Sequence, residues 1–180
     1  MRIQIFFILL VLLIGSTTFA AESEETISVN PRDDYRFGVG TMVGGPFGVM
    51  GLIADMNWDS LVNAEVGVGS GIYYDSYSLH GRYLILDNAL TPYVGGGFAY
   101  WDSSADGHKI AQNSDSAVKL GLVKSDGTNL KGGIVLLPIS LGLHYLSQNG
   151  LSLFADFEFI TSLASFSAVP YGALGFQWYF

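Results

Sequence analysis

The residue types that could do chemistry lie close together in two places along the chain. His80 follows Asp75, Ser76 and Ser78, a set that contains an orienting carboxylate, two hydroxyl nucleophiles and a general base. In an extended strand, however, residues two apart have Cα atoms about 7 Å apart. Ser78 and His80 would share a face without being held in contact, so we expect no catalytic residues, with this set kept as an alternative. The second place is His144, which opens the segment HYLSQNG, residues 144–150.

Composition excludes several kinds of site. The chain has no cysteine, hence no thiolate zinc site, iron–sulfur cluster or cysteine nucleophile. Its three histidines, at 80, 108 and 144, are too scattered to predict a metal site. Gly67, Gly69 and Gly71 have a strict two-residue spacing that is not the dinucleotide fingerprint. A net charge of −8 argues against nucleic acid as a partner, and we expect no cofactor.

The elements that must carry these residues are strands. From residue 35 onward apolar side chains recur at every second position, the period of a strand with two unlike faces. Around His80, for example, Tyr77, Leu79 and Tyr83 alternate with Ser78 and Arg82. Eight such segments, of about nine to thirteen residues each, can be recognised.

The polarity of the two faces of these segments is the reverse of that in a soluble sheet. One face is continuously apolar and aromatic, whereas the other mixes glycine, serine, asparagine, histidine and charges. Only 13% of the residues are charged, against roughly 25% in soluble domains. This inversion is typical of a transmembrane β-barrel, whose strands alternate lipid-facing and lumen-facing residues. The barrel must close, because hydrocarbon cannot pair an open edge. A soluble barrel with aromatic core residues is the alternative.

Connection lengths predict the topology: an all-β, antiparallel, up-and-down barrel of eight strands with both termini periplasmic. Short turns are expected at 57–60, 86–90 and 147–150, each with a turn-forming residue. A long outer connection runs from about 102 to 131 and contains all four lysines. Its apolar stretch at 117–123 could pass for a ninth strand, but bacterial single-chain barrels have even counts. We interpret it as an extension, a short helix or a surface-lying piece of the loop.

The N-terminus is predicted to be a targeting segment. Arg2, an apolar stretch over 3–14 and the small, polar residues that follow form the three-part pattern of a signal peptide, 1–20. Residues 21–34 are acidic and lack apolar periodicity, which predicts a mobile periplasmic lead-in. The barrel domain would then cover 35–180.

Two segments carry a resemblance to a known family. The last strand, with Gly175, Phe176, Trp178 and Phe180, resembles the terminal signal by which bacterial outer-membrane barrels are recognised for assembly. PYVGGGFAY, 92–100, resembles a strand common in small barrels of the OmpA/OmpW-like superfamily. The resemblance implies a Gram-negative outer membrane and contact with the barrel-assembly machinery. It also implies a structural, adhesive or stress-related role, passage of small hydrophobic molecules, or lipid A modification. HYLSQNG is only vaguely similar to the His-x-Ser-Asn of lipid A deacylases, and its spacing differs.

The polar face predicts a filled lumen. An eight-stranded barrel is just wide enough for its side chains to fill, so its charges should pair across the interior, with Glu65 and Arg82 in one ionic network with His80. A narrow channel and a lipid A-modifying enzyme remain as alternatives. We expect a monomer in contact with outer-membrane lipid and lipopolysaccharide. The predicted lumen network is Arg36, Asp55, Glu65, His80, Arg82, His144, Asp156 and Glu158.

Overall fold

The chain forms a closed barrel of eight antiparallel strands. The computed structural model describes residues 30–103, 105–124, 126–127 and 133–180. Each strand pairs with the next, and the last pairs with the first. The predicted fold class and strand number are confirmed. The strands are β1 Phe37–Gly44, β2 Gly48–Asn57, β3 Val62–Ser70, β4 Asp75–Leu84, β5 Leu90–Asp102, β6 Ile134–Leu146, β7 Leu151–Ser162 and β8 Ala168–Tyr179.

Burial alternates along every strand and is inverted relative to a soluble protein. On β3, Val66 is 54% exposed while its neighbour Glu65 is 1% exposed. On β4, Leu79 and Tyr83 point outward and Arg82 is buried between them. The predicted apolar outer face is therefore confirmed, whereas the interior combines polar and charged residues with buried apolar ones such as Ile53, Leu84 and Phe154.

The two ends of the barrel differ. At one end, which we call the base, the strands are joined by the short connections 58–61, 85–89 and 147–150, close to the predicted turns. At the other end, the top, a 3-10 helix at Gly45–Phe47 joins β1 to β2, and residues 71–74 and 163–167 join two other pairs. The long connection between β5 and β6 also lies at the top.

That long connection folds back onto the barrel. It contains two short helices, α2 Gly107–Asn113 and α3 Asp115–Leu120, and α3 includes the first four residues of the apolar stretch 117–123. Asp106 and Ser114 cap their N-termini, and Gly121 ends α3 in the left-handed conformation at φ 85°. We call residues 105–123 the cap, because their apolar side chains pack on the top of the barrel. The buried cap residues are Ile110, Ala117, Leu120, Leu122 and Val123.

A second helical segment lies at the base. Residues Pro31–Asp34 form one turn, here α1, whose N-cap Asn30 accepts a hydrogen bond from the Arg32 amide. The prediction of a mobile lead-in is wrong for residues 30–34, because Arg32 is completely buried there. The predicted signal peptide and the rest of the lead-in lie outside the described residues. None of the helices in the described ranges is long and apolar enough to cross a membrane.

Candidate functional site in the barrel interior

Arg82 occupies the middle of the lumen. Its guanidinium forms ion pairs with Glu65 and, at 3.4 Å, with Asp55, and it donates to Asn63 Oδ1 at 3.4 Å. Glu65 and Asn63 come from β3, the neighbour of β4, where Asn63 lies opposite Arg82, and Asp55 comes from β2, the next strand along, where it lies opposite Glu65. The guanidinium carbon also lies 4.3 Å from the centroid of the Phe154 ring. One cation thus joins two strands to an aromatic ring across the lumen.

The other two interior carboxylates belong to β7. Asp156 accepts a hydrogen bond from the Tyr93 hydroxyl at 2.6 Å. Glu158 is completely buried, and within the described part of the chain neither of its oxygens has a hydrogen-bond partner. Among the described residues, the four interior carboxylates Asp55, Glu65, Asp156 and Glu158 therefore outnumber the two buried guanidiniums of Arg32 and Arg82.

The candidate catalytic set on β4 is not assembled. Ser76, Ser78 and His80 all face the interior, but among the described residues neither serine hydroxyl nor His80 Nε2 has a hydrogen-bond partner. Asp75, at the end of the strand, is exposed. His80 lies opposite Glu65 in the register, yet its Nε2 makes no hydrogen bond to the Arg82 network. A nucleophile needs a base within hydrogen-bonding reach, and this arrangement does not provide one.

At the base, Arg32 enters the lumen from α1. Its guanidinium donates to the carbonyls of Asn88, at 2.5 Å, and Ala89, at 3.3 Å, and lies 2.7 Å from His144 Nδ1. The other ring nitrogen of His144 lies 2.9 Å from Ser152 Oγ. Burial lowers the pKa of the Arg32 guanidinium from its ordinary value. Arg32 therefore closes the base of the barrel.

Arg36 does not belong to the interior, which corrects the predicted network. It precedes β1 at the base, its side chain is exposed, and it donates to the carbonyls of Trp58, at 2.8 Å, and Asn57. Strand alternation predicts that Arg36 lies on the polar face. Because Arg36 precedes β1, however, it lies beyond the end of the lumen, where that face is exposed. The structure places the other seven predicted residues inside the barrel.

At the top, the lumen is filled by Phe47. This side chain, completely buried, folds inward from the 3-10 helix. A Cβ at Gly51 or Gly69 would lie 2.5 or 2.6 Å from its ring, and one at Gly67 would overlap the ring. These glycines therefore provide the volume that the ring occupies.

An aromatic group covers Phe47 and meets the cap. Trp101 is completely buried, donates its indole N–H to the Pro46 carbonyl at 2.6 Å, and stacks on Tyr74 with ring centroids 3.9 Å apart. Trp101, with Tyr93 and Tyr179, looks from the sequence like part of an interfacial aromatic girdle, but all three are interior residues. Their outward-facing counterparts include Trp58 and Trp178, which are 70% and 50% exposed.

The residues of the predicted assembly signal lie on both faces of β8. Phe176, Trp178 and Phe180 are exposed on the outer face. Gly175 faces inward, where the Phe154 ring leaves no room for a side chain. Phe180 exchanges backbone hydrogen bonds with Phe37 and so helps to close the barrel.

Sequence reasoning missed Arg32 and Phe47. Both lie outside the strands, where the two-residue period gives no information on direction. A weak signal exists for each: Asn30 followed by Pro31 is a helix start, and the three alternate glycines at 67, 69 and 71 predict missing volume on one face. Within the described residues no group of three or more histidine, aspartate or glutamate side chains could hold a metal ion.

Comparisons with known proteins support the fold. No protein-family profile matches the sequence, and no curated protein matches it significantly. Among solved structures, the N-terminal β-barrel domain of Pseudomonas aeruginosa OprF superposes with a TM-score of 0.58 at 18% identity, covering 81% of this chain and 98% of that domain. The Yersinia pestis outer membrane protein Ail gives 0.44 at 11% identity, with 81% and 99% coverage. The outer membrane enzyme PagL gives 0.40 at 17% identity, with 78% and 97% coverage. The superposition on the OprF domain shows that the chain has the fold of a small eight-stranded outer-membrane barrel, and at 18% identity the likeness extends to fold alone.

Proposed function

We propose that this protein is an integral outer-membrane barrel with a closed lumen, exported by its N-terminal signal and serving a structural, surface-interaction or stress-related role. The outward-facing side chains of its strands are mainly apolar, whereas the strand residues Asp55, Glu65, Arg82 and Glu158 are buried inside. In water such a surface would drive aggregation, whereas a bilayer satisfies it. The top of the barrel, with its cap, would face outward from the cell and the base would face the periplasm.

The observation that carries a closed lumen is that three layers of side chains cross it. Arg32 and His144 fill the base, Arg82 with its carboxylates and Phe154 fills the middle, and Phe47 fills the top. The apolar cap then covers Phe47 and Trp101. A solute would have to displace packed or ion-paired groups at every level.

Planar-bilayer recording tests this proposal. We expect the refolded protein to give no discrete conductance steps, and Arg32→Ala to remain silent because the middle and top layers stay in place. A triple variant that combines Arg32→Ala with Phe47→Ala and Arg82→Ala should begin to conduct if it inserts. Discrete openings of the unaltered protein would instead support a narrow channel.

We also propose that the protein has no hydrolytic activity, because the serines near His80 are not within a working hydrogen-bonded set. The test is release of fatty acid from lipopolysaccharide by the refolded barrel. We expect no release above that of a Ser78→Ala, His80→Ala control. Release that the double variant abolishes would support a lipid A-modifying enzyme.

We further propose that the barrel-assembly machinery recognises β8 through its exposed aromatic residues. Deleting Phe180 should leave unfolded protein in the periplasm, because its side chain is 66% exposed and the barrel itself loses only the two backbone hydrogen bonds to Phe37. The control is Phe98→Leu, also outward-facing but on β5, which should insert normally. Normal insertion of the Phe180 deletion would contradict this assignment.

A further inference from the structure

Three neighbouring side chains on β6 and β7 bring oxygen atoms without hydrogen-bond partners into the lumen. Ser140 lies opposite Glu158 in the register, and facing residues on adjacent strands have Cβ atoms about 4.5–5.5 Å apart. Asp156 precedes Glu158 by two residues on the same face of β7 and is the diagonal neighbour of Ser140. Among the described residues, Ser140 Oγ, both Glu158 oxygens and Asp156 Oδ1 are buried and make no hydrogen bond. We call these three side chains the oxygen cluster.

The oxygen cluster is enclosed by the barrel wall and by the 3-10 helix at the top. Ser140 is 1% exposed and Glu158 is completely buried. Ser140 Oγ lies over β5, where a Cβ at Gly95 would be 2.5 Å from it. Toward the top, a Cβ at Gly45 would be 3.0 Å from Glu158 Oε2, so this carboxylate lies against the helix that carries Phe47.

Within the described part of the chain, no basic side chain compensates the two carboxylates of the cluster. Arg82 forms its ion pairs with Glu65 and Asp55, and Arg32 lies in the base layer against backbone carbonyls. His80 Nε2 has no hydrogen-bond partner and so donates to neither carboxylate. The other described basic side chains, apart from the base-layer histidine, are exposed. Buried charges in proteins are paired or coordinate a metal ion, which leaves these oxygens in need of a cation.

We propose that the oxygen cluster binds one monovalent cation, Na⁺, inside the lumen. Glu158 would supply the main negative charge, and Ser140 Oγ and Asp156 Oδ1 would add two further oxygen ligands, the type that hard cations prefer. Among the described residues no group of three or more carboxylate or histidine side chains could hold a metal ion, whereas Ca²⁺ takes about six to eight oxygen ligands. This set of two carboxylates and one hydroxyl therefore suits a singly charged ion. The ion would add to the side-chain packing that closes the lumen.

Urea unfolding of the detergent-refolded barrel provides the test, with NaCl replaced stepwise by N-methyl-D-glucamine chloride at constant ionic strength and pH. Above half-saturation, we expect the unfolding equilibrium constant to fall about tenfold for each tenfold rise in Na⁺ concentration, the slope for one bound ion. Glu158→Gln should abolish this dependence. Without sodium it should be at least as stable as the unaltered protein, because the uncompensated charge is gone. Ser140→Ala should keep the slope but need a higher Na⁺ concentration.

Ser152→Ala is the matched control, because Ser152 is also a buried lumen serine but lies in the base layer, 2.9 Å from His144. It should retain the full sodium dependence, whatever its effect on stability. Equal stability in the two salts, or an undiminished sodium dependence of Glu158→Gln, would overturn the inference. Stabilisation by CaCl₂ but not by NaCl would overturn the assignment of a monovalent ion. Because the measurement is made in detergent, its failure would leave the proposed outer-membrane location unaffected.

Discussion

Arg82 illustrates how a charged residue can be kept inside this protein. It is 3% exposed and compensates Glu65 and Asp55, which are equally buried, while Asn63 and the Phe154 ring fill the space around it. Removing one member of a buried ion pair leaves an uncompensated charge, which costs far more than the pair contributes.

Arg82→Met should therefore lower the free energy of unfolding by about 3–5 kcal/mol, measured by urea titration in lipid vesicles. Adding Asp55→Asn and Glu65→Gln should restore most of that loss, because the uncompensated carboxylates are then neutral. Arg36→Met is the control. Its exposed side chain should contribute less than about 1 kcal/mol. Equal effects at Arg82 and Arg36 would contradict the described interior.

Gly67 is required by the ring of Phe47 rather than by its own backbone. Gly67→Ala should cost about 1–3 kcal/mol through overpacking, whereas Gly81→Ala should change stability by less than about 0.5 kcal/mol. The added Cβ at Gly81 meets only the Gly96 carbonyl, at 3.9 Å. In a double-mutant cycle with Phe47→Ala, a coupling of at least about 0.5 kcal/mol is expected. Strict additivity would show that the ring does not lie over Gly67.

At the scale of single residues, the two-residue period placed the polar interior residues of the strands correctly, whereas Tyr93, Trp101 and Tyr179, assigned to an outer aromatic girdle because they lie near strand ends, are interior. The alternation around Glu65 and His80 sufficed to place both inside, since the strand period is two. It failed at Arg36 and Arg32, which lie before β1. Arg32 rather than Arg36 enters the lumen because of where α1 packs. That position depends on tertiary contacts of Arg32 with residues 88, 89 and 144.

Among the elements, the cap is the one whose structure depends most on the rest of the molecule. Helices of seven and six residues are too short to be stable alone. They persist because Ile110 and Leu120 are completely buried against the top of the barrel.

Limited trypsin digestion tests this packing of the cap on the barrel. Lys109 and Lys119 are exposed in α2 and α3, yet the packed helices should protect the peptide bonds beside them, so cleavage is followed at these two lysines. Leu120→Ser should expose these bonds and speed cleavage about tenfold or more, because the cap is held by about 1.5–3 kcal/mol per buried leucine. Gln112→Ser, on the exposed side of α2, should cleave at the original rate. Rapid cleavage of the unaltered protein would show that the cap does not pack as described.

Strands and short turns could be predicted because each is determined locally, by a period of two and by turn-forming residues such as Asn149 and Gly150. The cap could not. Its apolar residues 117–123 satisfy a helix or a strand equally well when considered alone. The choice of helix is made by Ser114, which caps α3, and by Gly121, which ends it.

At the scale of the whole molecule, a membrane-spanning barrel requires the outer face of the sheet to meet hydrocarbon. Val66 is on the outer face at mid-strand and Ile72 is at a top connection, with exposed fractions of 54% and 77%. Both side chains are exposed, but we expect Val66 to contact lipid and Ile72 to contact water or headgroups.

Val66→Arg should lower the free energy of folding into a bilayer by about 2–4 kcal/mol, as for an arginine near the midplane, whereas Ile72→Arg should cost less than about 1 kcal/mol. Reversible folding titrations into lipid vesicles would measure both. Equal small costs at the two positions would place the outer face in water and contradict a membrane-spanning barrel.

Outer-membrane fractionation followed by electrophoresis of boiled and unboiled samples tests the central claim most directly. A membrane-inserted barrel of this kind should sediment with the outer membrane and migrate faster unboiled than boiled, because the closed sheet resists detergent. The Arg82→Met variant should lose the fast-migrating form at a lower temperature than the unaltered protein. Recovery of the protein in the soluble periplasmic fraction, with a mobility that boiling does not change, would contradict the account.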